Sequence, residues 1–305
     1  MPGELISSIA PADLKGLLAR GATLQVPPFT VSVQTDNRAL VAALTALYGN
    51  FPITRSDAVA DFTIRVGSTG GFRRFFRRQA MAHIDTPPPY VPLPYEMAPL
   101  MFEQALNWCV ATRTFSHLVM HAAVVAKDGK AVIIPGETGQ GKSTLCAALV
   151  SKGWRHLSDE FALIDPDTLE ITAHPRPISL KNASLEAVQA WDRDAEPKMV
   201  MHGTPKGSVG YLPPSRRAVE AASQRVTPAA IVFPGFGRSS DPSIREVGKG
   251  QAFIILTACC VNYRELGETG FTALSRLVDS LPVYMSVYTD TATSVALVES
   301  LDLET

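Results

Sequence analysis

The sequence predicts an α/β protein, with a small α+β region ahead of a larger α/β domain. Three observations carry this. The apolar, β-branched run Lys130–Pro135 leads straight into the glycine-rich stretch GETGQGKS, and a helix-patterned run, KSTLCAALVSKG, follows. Strand-like and helix-like runs continue in alternation to the C-terminus. Between Thr86 and Pro99 the composition breaks: TPPPYVPLPYEMAP holds six prolines (87, 88, 89, 92, 94 and 99), which oppose a regular helix or a central strand. At roughly 150 residues per domain, 305 residues correspond to one large or two ordinary domains. The division expected is residues 1–86 as an α+β N-terminal domain, 87–99 as an extended connector, and 100–305 as the main domain.

The first region begins with a strand in PFTVSVQT. Asp36 or Asn37 can cap a helix that places Leu40, Val41, Leu44 and Leu47 on one face and ends at Gly49. DFTIRV (61–66) is a second strand. GGFRRFFRRQ then gathers Arg73, Arg74, Arg77 and Arg78 around Phe75 and Phe76; it reads either as an anion- or peptide-binding patch or as an exposed basic strand or turn. Beyond the connector, Leu100–Phe115 has helical spacing. HAAVVA (121–126) and KAVIIP (130–135) are strands joined by Asp128-Gly129, a strong hairpin dipeptide. A helix from Lys142 to about Lys152 stops at Gly153. Strands are expected at 154–157, 161–164, 169–173 and 177–180, and a helix at 183–191. Residues 192–210 are polar, contain Gly and Pro, and read as a mobile loop. Late elements are a strand at 229–233, helices near 251–261 and 271–280, a strand at 283–288 and a final helix from about Thr291.

Composition excludes several classes. Hydrophobic residues at 46% supply a core, and charged residues at 19% argue against wholesale disorder. Lys plus Arg number 28 against 29 Asp plus Glu, a net charge of −1, so bulk charge would not hold the chain to nucleic acid or an anionic membrane. The four cysteines (109, 146, 259, 260) form no CxxC pair and fit free thiols in a reducing compartment. MPGELISSIA lacks the pattern of a secretory signal. The longest nearly apolar stretch, Ala252–Val261, falls far short of the roughly 20 residues of a membrane helix. A soluble cytoplasmic protein is expected, with no nucleic-acid or membrane partner. A homo-oligomer is left open.

Gly136–Ser143 matches GxxxxGK[ST] in full. Gly136, Gly139 and Gly141 let the backbone curl, so that N–H groups along Glu137, Thr138, Gln140 and Thr144 can point at phosphate oxygens. Lys142 supplies a point charge for the β- and γ-phosphates, and Ser143 offers a hydroxyl to Mg²⁺. The helix that opens here adds the positive end of its dipole. Asp159 and Glu160 end the run GWRHLSDE, 159 − 142 = 17 residues after Lys142, room for one helix and a strand back beside the loop. Adjacent carboxylates there suit a base near an attacking hydroxyl and a ligand for Mg²⁺, and their repulsion can raise one pKa. Arg176 and Lys181, in PRPISLKN, are cations that can neutralise a transferring phosphoryl group. Arg238 and Arg245 are weaker candidates.

His121-AAVVAKDGKAVIIP-GETGQGKS followed by GWRHLSDE resembles the C-terminal catalytic domain of the HPr kinase/phosphorylase family. The histidine stands 136 − 121 = 15 residues before the loop's first glycine, the spacing of that family. MHAAVV, GKSTLCAAL, GWRHLSDE and PRPISLKN further resemble the HPr-kinase-related kinases of subfamily A. The resemblance implies a kinase fold similar to phosphoenolpyruvate carboxykinase. It further implies Asp159 as the base for a seryl hydroxyl, His121 standing beside Asp159 and tuning it, and Glu160 serving Mg²⁺. The pair is Asp-Glu where the bifunctional enzymes carry Asp-Asp, and Thr144 stands where they usually carry an acid. The implication therefore stops short of HPr itself as acceptor and of the reverse reaction.

The resulting expectation is an ATP- and Mg²⁺-dependent kinase acting on a hydroxyl, serine of a peptide or small protein foremost. The alternatives are a phosphate-loop ATPase or nucleotide-binding regulatory module that transfers nothing, and a kinase for a small-molecule hydroxyl.

Overall fold

The computed structural model describes residues 3–55, 59–69, 78–85, 90–137, 139–237 and 241–303. Thr138, the arginines 73, 74, 77 and 238, and the connector prolines 87–89 lie outside the described residues.

The N-terminal part of the chain is a sheet covered by helices. Its elements are β1 (Glu4–Leu5), α1 (Pro11–Arg20), β2 (Ala22–Val26), β3 (Phe29–Thr35), α2 (Arg38–Leu47), β4 (Pro52–Thr54), β5 (Phe62–Ser68), β6 (Gln79–His83), β7 (Leu93–Pro94) and α3 (Ala98–Arg113). The strand order is β1-β4-β2-β3-β5-β6-β7. The α2 cap is Asn37, whose side chain accepts from the Leu40 N–H at 3.0 Å. Leu40, Val41, Leu44 and Leu47 are buried together, as their spacing requires.

Helix α3 starts earlier than expected, at Ala98, because a proline in the first turn needs no N–H partner. Ten of its residues are buried. Eight of them, all but Pro99 and Glu103, join one core with Val33, Ile64 and Ala82 of the N-terminal sheet and with Val119, Phe161 and Tyr211 further along the chain. Apolar packing thus runs continuously across the position where the chain was expected to divide.

The second sheet is built from β8 (Leu118–Lys127), β9 (Lys130–Pro135), β10 (Arg155–Ser158), β11 (Phe161–Ile164), β12 (Ile171–Thr172), β16 (Thr227–Phe233), β17 (Ser243–Glu246) and β18 (Val283–Val287). The order is β12-β11-β8-β9-β16-β18-β17, with β10 also on β8. β9, β16 and β18 run parallel, and the flanking pairs are antiparallel. Asp128 and Gly129 turn β8 into β9 with φ of 50° and 79°, the paired positive values a two-residue hairpin demands. Helix α4 (Lys142–Ser151) follows β9; α5 (Ala183–Trp191) and the short α6 (Arg216–Glu220) and α8 (Tyr263–Leu266) come later in the chain, and α7 (Lys249–Cys259), α9 (Glu268–Ser280) and α10 (Thr291–Glu299) cover the sheet faces.

The stretch expected to be a mobile loop, 192–210, is instead largely sheet. β14 (Lys198–Thr204) and β15 (Gly207–Leu212) form a hairpin, and β15 pairs with β13 (Ile178–Lys181). The strand pattern is real but short: Met199 and Met201 alternate with exposed Lys198, Val200 and His202 and pack towards Val209 and Tyr211. Gly203 and Pro205 mask that alternation in the sequence. Among the described residues, no helix is long and apolar enough to cross a membrane.

Candidate active site

The phosphate-loop motif sits at the C-terminal end of β9, and α4 begins at its lysine. Gly139 and Gly141 have φ of 92° and 94°, values that favour glycine. Lys142 is buried, and its Nζ donates to the carbonyls of Gly136 at 2.7 Å and Glu137 at 3.3 Å. Burial holds its pKa below the usual ammonium range, with Asp159 and Glu160 acting in the opposite sense. The Gln140 side chain closes the loop by accepting from the Glu137 N–H at 3.2 Å. Thr144 Oγ1 donates to Ser184 Oγ at 2.9 Å, which fixes α4 to the helix α5 (Ala183–Trp191).

The acidic pair is positioned by an interruption in pairing. β8 is ten residues long; its first half pairs with β11 and its second with β10. The chain crosses from one partner to the other at Asp159-Glu160, where the Ala122 N–H donates to the Glu160 carbonyl at 3.2 Å. Asp159 is 4% exposed. Its Oδ2 accepts from Ser143 Oγ at 3.2 Å and from the Ser179 N–H at 2.9 Å, while its Oδ1 is buried without a partner. Burial, and then the charge of Glu160, push its pKa up to about 6 against the opposing pull of the Ser179 N–H, Ser143 and Lys142.

His121 meets Glu160 rather than Asp159: its Nε2 lies 3.6 Å from Glu160 Oε1. Burial opposes ionisation of Glu160, but the contact and charge of His121, then Lys181 and Arg176, outweigh it and hold the carboxyl at about 2. Two neighbouring carboxyls thus sit on opposite sides of their ordinary range, the pattern that separates a proton acceptor from a fixed anion.

Arg176 and Lys181 have different surroundings. Arg176 is buried, and its guanidinium is engaged by Glu103 and Asn107 of α3. Tyr48 of α2 donates to the same Glu103 at 2.7 Å. Lys181 ends β13 on the wall of a cleft that also takes in Asp159, Glu160, Gln104 and Asn107. Lys206, which sequence reasoning missed, lines the same cleft. It stands on the β14–β15 turn, and Asn182 pins that turn by donating to the Lys206 carbonyl at 3.2 Å and accepting from the Ser208 N–H at 3.0 Å. The only hint in the sequence was a lone lysine before a glycine, a signal too common to act on. Arg245 lies on β17, away from the loop, with its guanidinium against Met285 Sδ.

The donor set fits a magnesium nucleotide. Ser143 supplies a hydroxyl oxygen and Glu160 a fixed anion for the metal, and beside them the buried Oδ1 of Asp159 is left without a donor.

The family described as SynChlorMet cassette protein ScmC matches residues 94–200 of this chain. That span holds the phosphate loop, the acidic pair, Arg176 and Lys181. No curated protein matches. Among solved structures, the chain is similar to the Hpr(Ser) kinase/phosphatase from Coxiella burnetii, with 12% identity, a TM-score of 0.27, and coverage of 59% of this chain and 93% of that one. The geometry of the site carries the functional reading.

Proposed function

We propose that the chain is an ATP- and Mg²⁺-dependent phosphotransferase that moves the γ-phosphoryl group to a hydroxyl, with serine of a peptide or small protein as the acceptor. The observation that carries this is the Ser143–Asp159 contact: a buried carboxylate of near-neutral pKa held against the first turn of a phosphate-loop helix.

The loop N–H groups and Lys142 bind the phosphates, and Ser143 and Glu160 are the side chains that would hold the metal. Mg-ATP supplies the electrophilic phosphorus and the charge that stabilises departing ADP. Asp159 orients the acceptor hydroxyl and takes its proton as the new O–P bond forms and the β–γ bridge bond breaks. His121 keeps Glu160 anionic, which in turn favours the protonated form of Asp159 after transfer. Lys181 and Lys206 face the acceptor from the cleft wall, and Gln104 and Asn107 face it from α3. A cleft walled by polar groups from three elements suits an extended acceptor better than attack by water alone.

The test is mass spectrometry of serine-containing peptides and small hydroxyl compounds after incubation with the protein, ATP and Mg²⁺. A gain of one phosphoryl group on a peptide is the expected result. ATP turnover with no phospho-product from any acceptor would leave an ATPase; product only on small compounds would move the acceptor class.

A further inference from the structure

On the side of the phosphate loop away from the acidic pair, the parallel strands β16 and β18 end in an aromatic pair. Phe236 follows β16 and Tyr288 follows β18. The Gly237 N–H donates to the Tyr288 carbonyl at 2.9 Å, and the Tyr288 N–H to the Gly235 carbonyl at 3.3 Å, so the two strand ends are tied. The rings meet edge to face with centroids 6.2 Å apart. Tyr288 is 3% exposed and its hydroxyl is buried without a partner, whereas Phe236 is 55% exposed. Exposure alone is ordinary for a single apolar ring; what sets Phe236 apart is that its open surface stands beside the glycine-rich loop.

The pair touches the loop. A Cβ on Gly141 would lie 2.9 Å from Tyr288 Oη and 3.4 Å from the Phe236 Cβ. Two residues later, Ser143 reaches Asp159 on the opposite flank. The loop therefore lies between two flanks of different chemistry, one with carboxylates and cations, the other aromatic. A nucleoside triphosphate whose transferable end meets Lys142, Ser143 and Asp159 must direct its nucleoside the other way. That leads over the C-terminal ends of parallel strands, where open α/β sheets take their ligands.

We propose that Phe236, braced from beneath by Tyr288, is the platform on which the adenine base stacks. The inference rests on reading Gly136–Ser143 as the phosphate cradle. Stacking on an aromatic face tolerates any base, so this flank provides affinity for a nucleoside without selecting adenine over guanine strongly.

The test is calorimetric titration of the full chain with Mg-ATP, Mg-GTP and magnesium tripolyphosphate, in the natural protein and in Phe236→Ala and Phe236→Trp. Phe236→Ala should weaken both nucleotides by about 5- to 100-fold, leave tripolyphosphate unchanged, and Phe236→Trp should restore nucleotide affinity. Thermal melting of each variant, compared alongside, separates a loss of the platform from a loss of folding. A change in Mg-ATP affinity under about twofold overturns the platform, as does an equal loss for tripolyphosphate, which would mean the ring acts through the loop. If the natural protein binds tripolyphosphate but gains nothing from a nucleoside, the platform fails while the cradle stands. If it binds neither, the cradle itself fails.

Discussion

Ser143 Oγ donates to Asp159 Oδ2 across 3.2 Å, which joins the first turn of α4 to the point where β8 changes partners. Neither residue is close to the other in sequence, and neither would be fixed without the sheet between them. The contact makes the glycine-rich loop and the carboxylate pair one unit.

Lys142→Ala should abolish tight Mg-ATP binding. It removes the loop's cation and also the two hydrogen bonds by which Nζ draws in the Gly136 and Glu137 carbonyls. Calorimetry decides this: affinity and turnover both equal to the natural protein would end the phosphate-loop assignment.

Asp159→Asn should leave Mg-ATP binding largely intact and lower transfer by roughly 10²- to 10⁴-fold. The amide keeps the carboxylate's shape but cannot take the acceptor's proton. Single-turnover rates against binding constants measured on the same sample separate the two effects. Transfer at the natural rate would make Asp159 structural.

Arg176→Met should destabilise the fold by ~3–5 kcal/mol, because it leaves Glu103 buried without its counter-charge. Removing both charges, as in Arg176→Met with Glu103→Leu, should recover most of that loss. Urea denaturation measures both variants. A single substitution costing under about 1 kcal/mol would show that the buried pair is not charged in the folded chain.

Stability should fall with acidity well above the pH at which most carboxylates titrate. His156 is buried with neither ring nitrogen partnered, and burial holds its pKa at about 4. Burial first, then Arg176, holds His174 at about 3, although its Nδ1 donates to the Pro27 carbonyl at 2.6 Å. Both folded values lie below the unfolded one, so below about pH 6.5 the unfolded chain binds more protons. The contribution is complete above that pH and is lost as pH falls towards the folded values, at ~1.4 kcal/mol per pH unit for each histidine. Urea midpoints between pH 7 and 5 should show the decline, and His156→Leu should flatten it by about one histidine's share. An unchanged slope in that variant would show that His156 is solvated.

The sequence by itself determined the local devices. Lys130–Pro135, GETGQGKS and the following helical run place a strand, a glycine-rich loop and a helix in succession, because hydrophobic period and glycine position act over a few residues. A helix cap at Asp36 or Asn37, Asp128-Gly129 as a turn and Asp159-Glu160 at a strand end were legible for the same reason, and the structure chose Asn37 as the cap. Only the tertiary structure decided which distant groups meet. It set His121 against Glu160, committed Arg176 to Glu103, raised Lys206 into the cleft on a hairpin that reads as a loop, and put Phe236 and Tyr288 beside Gly141. Each of these follows from sheet order and burial, and those depend on contacts between residues tens to more than a hundred positions apart that no local pattern encodes.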